Sequence, residues 1–467
     1  METFGKHLQL ESNLLQFGSF YDNLRRLKYN SLRVSPRQLL RSTTLRKIHR
    51  DRSGTEMANA NIKKIDTSQL QVGMYIHNLS GDWMSHPFVR SRFLITSDAD
   101  IEKILAAGIR DCYIDTEKGI DAQDAPTRKE VLAGIENEFL EIAAKNQKLP
   151  IRVAFSEELD RARQIKGEAQ ALVQTMMRDA RLGKAIELPH VEPVVQNITE
   201  SILRNAGALI GLLKIKSRDD YTFLHSVSVC ALMVAFCKST GMDSEMTRQA
   251  GLGGLLHDTG KSLIPDEILN KPGRLTDEEF DIVKAHPKNG YDILLKTPHI
   301  GPIPLDITLH HHERRDGSGY PDNLRGDNIS TLSQMAAIVD VYDAITSDRS
   351  YHKGIPAAEA LRRIFEWSKH HFNPDLVHAF IRCVGIYPVG TMVLLESGKL
   401  AVVLEPHETN LLAPKVKLFF NTKTNTHITP VVLDLGKPFG DGGGDRIVSH
   451  ESPEKWQIDP MRFIELR

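Results

Sequence analysis

Residues 189–385 read as helices almost throughout, and this long helical block constrains the fold more than any other feature of the chain. On both sides the period changes. From Ile62 to about Gly119 the pattern alternates and turns, with VGMYI and RDCYID as short strands and SDADIEKILAAGI as a helix ending at Gly108. After the polar link GIDAQDAPT two long helical patterns follow. The second, EELDRARQIKGEAQALVQTMMRDARLG, sets Ile165, Ala169, Leu172 and Met176 at three- and four-residue steps. Such a stripe suits core packing, or alternatively a dimerising or signal-carrying helix. Beyond Tyr387 alternation returns: VGTMVLLESGKLAVVLEP reads as a hairpin around Ser397-Gly398, with further strands to about Leu435. The expectation is a multidomain chain. A mainly α domain over 189–385 follows a small α+β domain with linker helices over 57–188 and precedes a β-rich extension over 386–467. No internal repeat is present.

The length of 467 residues agrees with two to four domains. A net charge of -1 gives no overall field to recruit nucleic acid or an anionic membrane. Residues 1–56 depart from this balance, with 11 Lys and Arg against 5 Asp and Glu. Three readings stay open for them: a basic arm, a disordered extension, or upstream sequence with Met57 as the working start. The four cysteines are scattered and form no CxxC pair, which argues against a zinc ribbon or a disulfide scaffold and fits a reducing compartment. No apolar run approaches the ~18 residues of a membrane span, and the N-terminus lacks the apolar segment of a signal peptide. A cytoplasmic protein is expected, with no nucleic-acid partner and no membrane span.

Chemistry enters at LLHDTGK, residues 255–261. His257 and Asp258 put a neutral nitrogen donor and an anionic oxygen donor at nearly one point, and the following turn returns the cation Lys261 towards it. His225 opens the apolar run FLHSVSVCALMVAF, where an unpartnered imidazole would be costly to bury. Thr276 and Glu279 suit a capping box that starts the helix carrying His286, which precedes Pro287. HHHERRDGSGYP supplies His310, His311 and His312, and its Asp316-Gly317 and Gly319 break the helix after Glu313. Asp340 lies inside an apolar helix, with Asp343 nearly one turn on. Each residue alone suits a satisfied core group or a cap. Together they hold enough donors for two metal ions, and a mixed nitrogen and oxygen set favours Fe, Mn, Co, Ni or Zn over Mg or Ca. Asp258 is placed to bridge two ions, and such a pair can hold a hydroxide that cleaves a phosphoester. Lys261 is placed to neutralise a phosphate oxygen.

His225, the His257-Asp258 doublet and Asp340 resemble the H…HD…D signature of the HD hydrolase superfamily. LLHDTGK, NKPGRLTDEE, AHPKNGYDIL, HHERRDGSGYP and VDVYDAITSDRSYH resemble, in order over roughly 200–385, the blocks of its HD-GYP branch. The 62–185 region resembles the domain of unknown function that precedes HD-GYP domains in one subgroup. The resemblance implies an HD-type helical bundle and a bacterial phosphodiesterase that linearises cyclic di-GMP to pGpG and/or GMP with a metal-bridged hydroxide. It implies a first divalent ion, iron or manganese, on His225, His257, Asp258 and Asp340. A second would rest on Asp258, His286, His311 and His312. Lys261 matches the family's phosphate-contacting lysine, and Arg349 a basic residue that meets the substrate's other phosphate. The turn Gly319-Tyr320-Pro321 shapes the pocket, and the family also uses this surface for protein contacts, here with a diguanylate cyclase; a homodimer is a separate expectation.

Three departures sharpen the reading. Members holding three metals carry a glutamate four residues before the first histidine, where this chain has Tyr221, so a binuclear site is expected. Ser350 and His352 replace the usual proline and basic residue of the SDR block, which bears on the grip on nucleotide. Successive helical residues point about 100° apart, so three adjacent imidazoles cannot all serve one ion. The HHE alignment selects His311 and His312, makes His310 a neighbour, and leaves Glu313 as a candidate to orient an imidazole. Alternatives are hydrolysis of 3′,3′-cyclic GMP-AMP, or a catalytically weak binding module.

Overall fold

The computed structural model describes residues 61–465 except 81–91, 107–108, 145–151, 215–220, 272, 274, 348–353, 406, 408–409, 411, 440–442, 452 and 460. The basic segment 1–56, Arg349, Ser350, His352 and the expected helix end at Gly108 lie outside the described residues.

From Ile62 a four-stranded antiparallel sheet forms from β1 (Ile62–Asp66), β2 (Tyr75–Ser80), β3 (Phe93–Leu94) and β4 (Asp111–Asp115), in the order β1-β4-β2-β3. Helix α1 (Asp98–Ala106) packs on it through Ile104, which is fully buried with Ile76, Ile95 and Ile114. RDCYID becomes β4 as expected. VGMYI begins its strand only at Tyr75, because Val72 and Gly73 are spent on a turn.

Helices α2 (Arg128–Ala144), α3 (Phe155–Arg181) and α4 (Leu188–Leu213) lead into the bundle. On α3, Ile165, Ala169 and Met176 are buried and Leu172 partly so, in one apolar cluster with α4. The stripe therefore packs into the core. Helix α4 breaks at Asn205, whose backbone is extended (φ -159°, ψ 96°). The carbonyl freed there, that of Arg204, accepts from the Arg152 and Val153 N–H groups. The Arg204 side chain makes a two-pronged pair with the buried Glu158 at 2.7 and 2.9 Å. At its other end α3 reaches the next region: Arg181 donates to the Ser262 carbonyl at 3.0 Å and pairs twice with Asp266 at 2.8 Å.

The bundle continues with α5 (Tyr221–Ser239), α6 (Ser244–Leu256), the short α7 (Asp266–Leu269), α8 (Asp277–Lys284), α9 (His286–Leu294) and α10 (Pro302–His310). It closes with α11 (Thr331–Thr346), α12 (Ala357–Trp367) and α13 (Pro374–Val384). Helix α5 is buried on every side from Leu224 to Cys237, as a helix that is apolar all round must be. Val227, Cys230 and Val234 belong to one apolar cluster, and Val229, Met233 and Phe236 to the other. It is the midline of the core. Among the described residues no helix is long and apolar enough to cross a membrane.

The hairpin expected at Ser397-Gly398 is the pair β5 (Met392–Leu395) and β6 (Lys399–Glu405). With β7 (Lys415–Asn421), β8 (Thr426–Asp434) and β9 (Ile447–His450) it forms an antiparallel sheet of order β8-β7-β6-β5-β9.

Candidate metal centre

Six elements carry the polar residues to one buried point. His225 stands in the first turns of α5, and His257 caps α6, followed at once by Asp258. The tight turn Thr259–Leu263 brings Lys261 back, so that its Nζ lies 2.7 Å from Asp258 Oδ2. His286 is the first residue of α9, His311 caps α10, and His312 follows it. Asp340 lies inside α11. His225, His257, Asp258, His286 and His311 are each at most 2% exposed.

The capping box at Thr276 and Glu279 forms as expected, at 3.2 and 2.7 Å, but the helix it starts ends at Lys284. His286 opens a new helix, for which Pro287 supplies a favourable first turn. The helix before the GYP loop likewise ends at His310, three residues earlier than Glu313.

Local hydrogen bonds decide which ring nitrogen faces inward. A carbonyl oxygen only accepts, so Nδ1 must carry the proton where it meets one. His257 Nδ1 donates to Gly254 O at 2.8 Å, His286 Nδ1 to Val283 O at 2.7 Å, and His311 Nδ1 to Thr308 O at 3.0 Å. Their Nε2 lone pairs are thereby turned to the centre. His286 Nε2 and His311 Nε2 face each other at 3.3 Å. His225 Nε2 lies 2.9 Å from Asp340 Oδ1 and 3.6 Å from Asp258 Oδ2, and His286 Nε2 lies 3.4 Å from Asp258 Oδ1. His257 Nε2 and Asp258 Oδ1 are buried without a hydrogen-bond partner.

Burial, with the neighbouring Lys261 charge, pushes the His286 imidazole down to about 4. Burial and the rings of His257 and His286 push His311 down to about 3, and burial and His311 hold His312 well below its ordinary value. These rings are neutral at pH 7, the form that ligates metal. Burial opposes ionisation of Asp258, yet the cationic surroundings of His257 and Lys261 hold its carboxyl well below the usual range. Burial opposes charge on His257, yet the carboxylates of Asp258 and Asp340 hold its imidazole above the ordinary value, so the lone pairs and carboxylates converge on a point that favours a cation. Three overlapping sets satisfy metal-ligand spacing, each with its donor atoms within 4.8 Å: His225, His257 and Asp340; His257, Asp258 and His311; His286, His311 and His312.

One role differs from expectation and one agrees with it. Glu313 touches no imidazole; its carboxylate accepts the Asp322 and Leu324 N–H groups at 2.7 and 3.0 Å and so holds the GYP loop closed on itself. His310 faces away, between Asp306 at 2.7 Å and Asp322 at 3.1 Å. Asp306 also accepts from Ser330 and Ser333, which fastens α10 to the start of α11. Gly319 packs where a Cβ would lie 2.4 Å from Arg314 N, so the loop can fold back only with glycine there. Tyr320 then stacks on His312 with ring centroids 4.8 Å apart.

One functional position carried a signal that was not assigned a role. Asp343, nearly a turn beyond Asp340 on the same helix, bonds His225 Nδ1 at 2.7 Å. A carboxylate on the outer nitrogen fixes the ring's tautomer and orientation.

The turn carrying Lys261 is locked by a close backbone approach. A Cβ on Gly260 would sit 1.9 Å from His286 O and 2.4 Å from Gly290 N. Both are main-chain atoms and cannot swing aside. Gly260→Ala is expected to cost about 3 kcal/mol of stability or more, measured by denaturant unfolding. A loss under about 1 kcal/mol, well below that typical range, would show that the two segments are not interlocked.

A family model for a domain of unknown function, DUF3391, matches residues 62–191, and one for the HD domain matches 209–376. Cyclic di-GMP phosphodiesterase PA4108 of Pseudomonas aeruginosa is 46% identical over 398 residues, covering 85% of this chain and 94% of that protein. The 3'3'-cGAMP-specific phosphodiesterase 2 of Vibrio cholerae is 38% identical over 127 residues, covering 27% of this chain and 24% of that protein. Among solved structures, Bd1817, an HDG"Y"P protein from Bdellovibrio bacteriovorus, matches with a TM-score of 0.42 and 18% identity over 68% of this chain and 98% of that one. With an HD domain at its core and a relative this similar along nearly its whole length, the chain belongs to the HD-GYP family of metal-dependent cyclic di-GMP phosphodiesterases.

Proposed function

We propose that the centre hydrolyses the 3′-5′ phosphodiester bonds of cyclic di-GMP, giving linear pGpG, GMP or both. The observation that carries the reading is the convergence of inward-facing Nε2 atoms and carboxylates on one buried point, with Lys261 beside them. In this reading His225, His257, Asp258 and Asp340 hold one ion. Asp258, His286, His311 and His312 hold a second, and iron or manganese is the native metal. Bound metal supplies an activated water and neutralises charge on the phosphate. The chain's residues do the rest. Asp258 faces both ligand sets, and Lys261 is placed to meet a phosphate oxygen. Arg349 would receive the other phosphate, while Gly319, Tyr320 and Pro321 wall the pocket on the His312 side.

The protein would then work in the cytoplasm, with 57–188 and 386–467 flanking a catalytic domain at 189–385. The GYP surface would be open to a diguanylate cyclase, and the chain would also pair with a second copy of itself. The similarity to a 3'3'-cGAMP-specific enzyme keeps the hybrid dinucleotide as a second substrate to assay. The test is turnover of both dinucleotides by the full chain loaded anaerobically with Fe(II) or Mn(II). Linear products from cyclic di-GMP are expected. Intact cyclic di-GMP under conditions where an active relative cleaves it would overturn the proposal.

A further inference from the structure

We infer that Asp306 is a positioning residue for turnover of the cyclic dinucleotide, acting through His310 to hold the GYP loop at the edge of the pocket. The inference rests on the reading of that loop as a pocket wall. His310 and Glu313 bracket the pair His311-His312 in sequence, and both grip one loop residue, Asp322. Glu313 accepts the Asp322 N–H at 2.7 Å, and His310 Nε2 lies 3.1 Å from Asp322 Oδ2. Asp322 follows Tyr320-Pro321 directly. The clasp therefore closes next to the ring that stacks on His312.

The His310 half of the clasp depends on where its ring points. Asp306, one turn back on α10, sets that direction by accepting from Nδ1 at 2.7 Å. Its two oxygens divide the work: Oδ1 serves His310, and Oδ2 accepts from Ser330 and, at 2.8 Å, from the fully buried Ser333. Ser333 lies on α11, the helix that carries Asp340. The order is thus α11, Asp306, His310, Asp322, GYP loop, and every link is a hydrogen bond. Asp322 is 54% exposed, and a pair that open adds little stability. What the bonds supply is direction, because a wall held by bonded side chains is set for its ligand before the ligand arrives.

The test is steady-state kinetics on cyclic di-GMP, with metal content measured on the same preparation, together with amide hydrogen exchange of the metal-free full chain. Asp306→Ala is expected to raise KM about tenfold, short of the roughly hundredfold that a displacement of about 1 Å can cost. Its kcat should stay within about threefold, and its metal content at the wild-type level. Amides of residues 319–324 should exchange about tenfold faster, with those of α5 unaltered. Asp306→Asn should keep KM within about threefold of wild type, since its oxygen still accepts from His310 and its amide can meet the serine hydroxyls. Asp322→Ala removes the other end of the link and should match D306A, and the double variant should cost less than about twofold more than either alone. Unchanged KM or unchanged loop exchange in D306A would overturn the inference. So would single-variant losses that simply multiply, or a joint fall in metal content and kcat. Should D306A fail to fold by circular dichroism, Asp306→Ser is judged by the same criteria. A wild-type chain that leaves cyclic di-GMP intact removes the proposed function, and loop exchange then decides whether Asp306 holds the loop. Normal wild-type kinetics alongside an unaltered D306A removes the inference alone.

Discussion

Asp258→Asn is expected to lower turnover of cyclic di-GMP by about a thousandfold or more and to leave the protein short of its full metal content. The carboxylate is 1% exposed and lies 3.3–3.6 Å from the inner nitrogens of His225, His257 and His286. Among the described residues no other carboxylate lies within 4.0 Å of all three. Asparagine keeps the shape and removes the charge, so the substitution reads electrostatics with little disturbance of packing. Metal contributes several kcal/mol to phosphoester cleavage. At about 1.4 kcal/mol per tenfold, losing even about 4 kcal/mol of that corresponds to the expected drop. Turnover and metal content should be measured on the same preparation. Full metal occupancy with undiminished turnover would refute the role assigned to Asp258.

Lys261→Met is expected to separate chemistry from metal binding. Its ammonium sits 2.7 Å from Asp258 Oδ2 and is 21% exposed, so it is partly open to the space in front of the carboxylate. A fixed charge donor aimed at a transition-state oxygen is typically worth about 10²–10³ in kcat. K261M should lose about that much while keeping its metal, whereas D258N loses both. Lys261→Arg keeps the charge on a longer, planar head and should recover only part of the rate, because the two cations are not interchangeable in tight geometry. A K261M enzyme with normal kcat and raised KM would assign Lys261 to ground-state binding instead.

Much of the centre was legible because its residues lie in short, ordered blocks. The His257-Asp258 doublet at the inner end of an apolar helix, and the turn returning Lys261, follow from LLHDTGK itself. His311 and His312 were separable from His310 through the resemblance to the HHE block, and His310 indeed turns to Asp306 and Asp322. Asp343 was less legible because its partner, His225, is 118 residues away, and only the packing of α11 on α5 joins them. Glu313 was misread for a similar reason. A carboxylate beside two histidines suggests an imidazole partner, but the loop's fold-back brings the Asp322 and Leu324 amides to it first. Helix boundaries drifted where proline decided them locally, as at Pro287, whereas the apolar stripe of α3 pointed inward as its spacing implied.

Helix α5 has a consequence for how the centre comes apart. It separates the two apolar clusters of the bundle and also carries His225. In most proteins the segments that open most easily are those with few buried contacts, and α5 is the opposite. Amide protons around Leu224–Cys237 should therefore exchange with solvent only when the whole bundle unfolds. His225 cannot drift out of register while the core is intact, so damage to the core and damage to this side of the centre become one event.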